Sequence, residues 1–179
     1  MKIAYKYLVF LDVDGVFNKL HVPEEDLLLD EFTIIDISHP AHPNLNTHCM
    51  GNFKNILDMF GSDIKIVLSS SWRLDLSLVA FLNAATAQQF GCDIFEESLV
   101  GSTNMKVTGD RSSDITTWLV ANVENIDTVA WIALDDDARN LKLIDGAHKV
   151  VTHGSVGLTR SDIDQTITKL NKQVNEGYL

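Results

Sequence analysis

Proline is scarce. The 179-residue chain has three, at positions 23, 40 and 43. Helix interiors and central strands exclude proline, so one stretch is marked as irregular and the rest is left able to be regular. Cysteine is scarcer still: Cys49 and Cys92 stand apart, without metal-ligand spacing. That excludes a disulfide framework or a zinc site and leaves two reduced thiols in or near the core. Positive charge is also short, with 14 Lys and Arg against 25 Asp and Glu, a formal net charge of −11. Such a balance disfavours a broad electrostatic grip on long nucleic acid. It does not oppose a nucleotide end held at one basic spot, and acids gathered around a divalent cation would offset part of it. Long hydrophobic runs are missing too. The apolar run near the N-terminus is too short for a membrane span and meets aspartates where a signal peptide would be cleaved. The expectation is a cytoplasmic protein without membrane association. No repeat, low-complexity tract or linker divides the chain, so it reads as a single domain over 1–179.

What is present is alternation. Strand-length apolar runs cover 7–11, 64–68, a weaker 92–95, 129–134 and 149–152. They are rich in β-branched residues and nearly continuous, as strands covered on both faces should be. Helical stretches lie between them at 52–60, 74–90, 111–123 and 138–144, and a last one spans 161–175 with Thr159 and Asp162 at capping-box spacing. Strands alternating with helices imply a central parallel five-stranded sheet with helices on both faces, an α/β three-layer Rossmann-like fold. The segment 19–48 breaks the pattern. It carries the three prolines and His21, His39, His42 and His48, without a helix or strand period. Placed directly after the first strand, it should border the sheet rim as a small lid. At about 30 residues it is below the usual size of an independent domain. Irregular spacing between prolines makes its histidines surface loop residues rather than a second metal site.

The strand ends carry the chemistry. Asp12, Asp14 and Gly15 follow the first strand in YLVFLDVDGVF; Ser69, Ser70, Ser71, Trp72 and Arg73 follow the second; Asp135, Asp136 and Asp137 follow the fourth. A cation, Arg111 or Lys106, precedes a helix. In doubly wound sheets ligands bind beyond the carboxyl ends of the strands. There, two aspartates can be both anchored and wet. A calcium loop also alternates aspartates before a glycine, but its glycine stands sixth, between helices. Here Gly15 is fourth and follows a strand.

The segments FLDVDGVFN, SSSWR, RSSDITTWL and WIALDDD, with GLT near the C-terminus, resemble the four motifs of the haloacid dehalogenase (HAD) superfamily. More narrowly they are similar to its small-capped domains of the Swiss-army-knife RNA-repair type. The resemblance implies a Mg2+-dependent phosphatase working through an aspartyl-phosphate. Asp12 would be the nucleophile and Asp14 the acid and base. Ser69 or Ser70 would bond a phosphoryl oxygen, and Arg111 or Lys106 would steady its charge. Gly15 would let the phosphate approach. The cation ligands would come from Asp12, Asp14, Asp135 and Asp136, with Asp137 outside them and the Val13 carbonyl offering a further oxygen. Arg73 reads either as a contact to substrate phosphate or sugar, or as an arginine paired to a core carboxylate. Trp72 reads either as a base-stacking ring or as core.

The expected substrate is a small phosphoester or nucleotide. A phosphotransferase or a phosphatase for nucleic-acid ends would share every one of these residues. A non-catalytic binding module on the same fold would be expected to have lost Asp12 or an acid of the fourth motif, and this chain keeps them.

Overall fold

The computed structural model describes residues 2, 4–20, 45–91, 97–104 and 110–175. Five strands pair in parallel: β1 (Tyr7–Leu11), β2 (Ile64–Leu68), β3 (Leu99–Ser102), β4 (Ala130–Asp135) and β5 (Lys149–Val151), in the order β3-β2-β1-β4-β5. The strand order reverses between β1 and β4, which places the switch point where Asp12 and Asp135 emerge. Along β1, Tyr7, Val9 and Leu11 enter one core, and Leu8 and Phe10 enter another on the opposite face. Side chains alternate along a strand, so a strand covered on both sides needs an unbroken apolar run. That is why this segment reads as continuous rather than alternating.

Helices α1 (Thr47–Phe60), α2 (Leu76–Phe90) and α4 (Arg160–Asn175) pack on the Val9 face. Helix α3 (Arg111–Asn122) covers the other face through Ile115, Trp118 and Leu119. Asn46 caps α1 by accepting from the His48 and Cys49 amides at 3.0 and 3.1 Å, worth about 1 kcal/mol. The helix therefore starts ahead of position 52, and His48, expected in the lid, lies in its first turn. Thr159 and Asp162 form the expected capping box of α4, with the Thr159 hydroxyl donating to the Asp162 carboxylate at 2.6 Å and accepting the Asp162 amide at 3.3 Å.

Two expectations change. The segment expected as a third strand, 92–95, lies outside the described residues, and the third strand of the sheet is Leu99–Ser102. Residues 138–144 form turns, not a helix. Their carbonyls are taken: Ser112 Oγ donates to the Asn140 carbonyl at 2.8 Å and Lys149 Nζ to the Leu141 carbonyl at 2.8 Å. Local amides reach back three residues instead, Asn140 to Asp137 and Ile144 to Leu141.

Of the expected lid, 21–44 lie outside the described residues, His21, His39 and His42 among them. Its roots are fastened, since the Leu20 amide donates to Gly154 at 2.6 Å and the Asn46 amide to Phe17 at 2.7 Å. Among the described residues, no helix is long and apolar enough to cross a membrane.

Candidate active site

Asp12 leaves β1 at the switch point, its amide donating to the Leu134 carbonyl of β4 at 2.9 Å. Asp135 ends β4 and Asp136 follows it. These three carboxylates each place an oxygen within 4.8 Å of the others. Like charges this close, with Asp12 and Asp135 nearly out of water, should resist ionising. Burial first and the Asp135 charge second raise the Asp12 pKa to about 6, against the pull of Arg111, a Ser70 hydrogen bond and the Val13 amide. Asp135 and Asp136 are raised as well, each chiefly by burial.

The two acids of β4 do different work. Asp135 is held mainly through Oδ1, which leaves acceptor sites on Oδ2. It accepts from the Asp137 amide at 2.9 Å and from Asn140 Nδ2 at 3.1 and 3.3 Å, and Arg111 Nε stands 3.9 Å away. Asp136 is packed between two glycines: a Cβ on Gly15 would meet its carboxyl carbon at 2.4 Å, and one on Gly154 would meet its Oδ2 at 2.6 Å. Gly15 also has φ +70°, left-handed backbone that only glycine takes without strain. Gly15 was expected as a substrate contact. The space its missing side chain leaves is filled by Asp136. Asp137 turns away and pairs with Arg139 at 2.7 to 3.0 Å, consistent with its place outside the ligands.

Asp14 is not among the three clustered carboxylates. Asn18 Nδ2 donates to its Oδ1 at 2.9 Å and Trp72 Nε1 to its Oδ2 at 3.0 Å, while Asn18 Oδ1 accepts the Gly15 amide at 2.7 Å. Trp72 is therefore neither a base-stacking platform nor plain core. The Val13 carbonyl, expected as a cation ligand, accepts the Phe17 and Val16 amides at 2.8 and 3.2 Å, because the chain turns tightly after Gly15.

Both serines sit at the end of β2 and are buried. Ser70 is the one near enough to Asp12 to pull its pKa down, and its hydroxyl accepts the Trp72 amide at 3.3 Å. The Ser69 hydroxyl meets Thr103 Oγ1 at 3.5 Å instead. Of the two candidate cations, Lys106 lies outside the described residues and Arg111 is brought to the site. Arg111 Nη1 is buried and finds no hydrogen-bond partner among the described residues.

Arg73, expected as a substrate contact, faces inward. Its Nη1 donates to the carbonyls of Ser69 and Ser70, and its Nη2 lies 3.3 Å from Asp114 Oδ2 with the side chains 2% and 4% exposed. It braces the end of β2 against α3. The sequence reading missed Asn18, Asn140 and Asp114; Asn18, four residues after Asp14, and Asn140, five after Asp135, stood close enough to be suspected, whereas Asp114 meets Arg73 from 41 residues away.

The sequence model of the family described as the HAD domain in Swiss Army Knife RNA repair proteins matches residues 8–163, which include both acidic strand ends, the serines and Arg111. The chain belongs to that family. No curated protein matches it. HAD domains generally use Mg2+, and the site suits that ion: hard carboxylate oxygens gathered at a rim, with negative charge that the neighbouring arginine offsets only in part. Membership supports hydrolase chemistry of the HAD type.

Proposed function

We propose that this HAD domain is a Mg2+-dependent phosphomonoester hydrolase working through an aspartyl-phosphate on Asp12. The observation that carries the reading is the meeting of Asp12, Asp135 and Asp136 within 4.8 Å at adjacent parallel strand ends. Those three residues would hold the ion, which when bound supplies charge neutralisation between carboxylate and phosphate.

The rest is done by the chain. An Asp12 carboxylate oxygen attacks phosphorus, and the bond from phosphorus to the ester oxygen breaks. Asp14 gives its proton to the departing alkoxide. It then takes a proton from water, whose oxygen attacks the aspartyl-phosphate, and cleavage of the bond between phosphorus and the Asp12 oxygen releases inorganic phosphate and restores both residues. Proton transfer of this kind is worth about 10²–10⁴-fold. Arg111, with one buried nitrogen that finds no partner among the described residues, offers a preorganised donor for a phosphoryl oxygen. Ser69 and Ser70, buried at the end of β2, are the hydroxyls available to a phosphoryl oxygen, Ser70 being near Asp12.

The substrate proposed first is a nucleotide or small phosphoester. A second reading, a phosphate at an RNA end, is favoured by the family's description in RNA repair proteins. The net charge of −11 limits that contact to a short terminus.

The test is hydrolysis of an aryl phosphate with Mg2+, with excess chelator, and by Asp12→Asn. Activity that needs Mg2+ and vanishes in the variant is expected. Full turnover in chelator, or by a contaminant-free Asp12→Asn, overturns the mechanism.

A further inference from the structure

One short turn reaches both reacting carboxylates. Residues Ser71–Leu74 form a single 3-10 turn at the end of β2, capped by Ser70, which lies near enough to Asp12 to lower its pKa. The next side chain but one, Trp72, points its indole N–H at Asp14 Oδ2 from 3.0 Å. Asn18 takes the other oxygen, Oδ1, at 2.9 Å.

We infer that Trp72 is a positioning residue for Asp14, its indole N–H and the Asn18 amide together fixing the carboxylate in the orientation from which it exchanges its proton. The inference rests on the acid–base reading of Asp14 given above. A carboxylate held by one donor can still swing about its terminal torsion, which is broad and soft. Held at both oxygens, it cannot. An ionised carboxylate has about four lone-pair sites, so two fixed donors leave sites for the leaving oxygen and for water. The indole is suited to the task because it is immobile. Trp72 is 1% exposed and its ring packs against Phe81 with centroids 6.1 Å apart. Burial also removes it from the role of stacking on a substrate base. Asn18, fully buried, is held in turn by the Gly15 amide at 2.7 Å.

The role predicts a selective defect. An aryl phosphate has a stable leaving group and needs little protonation, whereas an alkyl phosphate needs the proton as the bond breaks. In Trp72→Phe, kcat/KM, which reports the phosphorylation step and not the shared release step, should fall about tenfold more on the alkyl ester than on the aryl ester, a fraction of the full acid–base contribution. KM should not rise for either ester, because Trp72 is buried. Asn18→Ala removes the other donor and should give the same split if the tryptophan variant folds poorly.

A second readout needs no activity. The indole N–H resonances of the three tryptophans are followed by proton–nitrogen correlation, Trp72 being assigned by its loss in Trp72→Phe. Asp14→Ala should move the Trp72 resonance and leave those of Trp118 and Trp131 in place. Equal loss of kcat/KM on both esters, a raised KM for a nucleotide with kcat unchanged, or an unmoved Trp72 resonance would each overturn the inference. Wild-type protein that hydrolyses neither ester overturns the hydrolase reading, and the catalytic role of Trp72 with it. The indole resonance tells that failure apart from a missing Trp72–Asp14 bond.

Discussion

Asp136 shows how much of the site depends on atoms that are not there. Its carboxyl lies against two glycines whose would-be Cβ atoms fall 2.4 and 2.6 Å from it. The glycines differ in what a substitution does. At Gly15 a side chain would meet both the left-handed backbone and the carboxyl, so fold and site suffer together. At Gly154 the near contact is only the free end of Asp136. Gly154→Ala should therefore leave the fold intact while pushing the carboxylate aside. The half-saturating Mg2+ concentration for hydrolysis should rise about 10–100-fold, the range for disturbing groups that orient metal ligands. Titration of activity with Mg2+, beside a thermal melt, checks it; an unchanged Mg2+ requirement would remove Asp136 from the ligand set. The pattern DVDG pointed to Asp12 and Asp14, and ALDDD to the second acidic cluster. That Asp135 and Asp136, not Asp137, meet Asp12 was expected from the family resemblance but had no local signal, because strand register decides it and a one-residue slip turns each side chain over.

The end of β2 and the start of α3 act as one unit through Arg73 and Asp114, 41 residues apart in sequence. Burial raises the Asp114 pKa while the Arg73 charge beside it pulls it down. Removing one partner leaves the other buried and uncompensated. Asp114→Ala should cost about 3–5 kcal/mol of stability, read by denaturant unfolding, with KM for small phosphoesters unchanged. A stability loss near zero would return Arg73 to the substrate contacts. Four of the five strands and the bodies of α1 to α4 were legible because their signals are local, such as apolar continuity in β1 and the capping box of α4; the third strand, Leu99–Ser102, was not. The turns at 138–144 were misread for the opposite reason. Their residues suit a helix, but Ser112 and Lys149, remote in sequence, take the carbonyls a helix would use. The Trp72–Asp14 bond, 58 residues apart, had no local signal at all.

Across the whole molecule, acids outnumber bases by 25 to 14, and the costliest of them are gathered at one rim. The folded-state pKa of Asp12 is raised to about 6 from an ordinary 3.8. A raised carboxyl contributes stability that is full below about 3.8 and lost as pH rises through about 6. Without metal, this group therefore makes the protein less stable at neutral pH than near pH 4. A divalent cation reverses the sign, since it binds the ionised carboxylates and competes with protons. Saturating Mg2+ should raise the melting temperature clearly at pH 7.5 and much less at pH 5. An equal shift at both pH values would separate metal binding from the ionisation of this cluster. Single-domain organisation over 1–179 remains our proposal for the chain as a unit.

The central claim is that Asp12 carries the phosphoryl group during turnover. Asp14→Asn leaves the nucleophile in place but removes the base needed to release it. Incubated with Mg2+ and an aryl phosphate, quenched in acid and digested, that variant should yield one phosphorylated peptide, modified at Asp12 and sensitive to hydroxylamine. Turnover without any phosphorylated peptide, or a phosphoryl group on a different residue, would contradict the account.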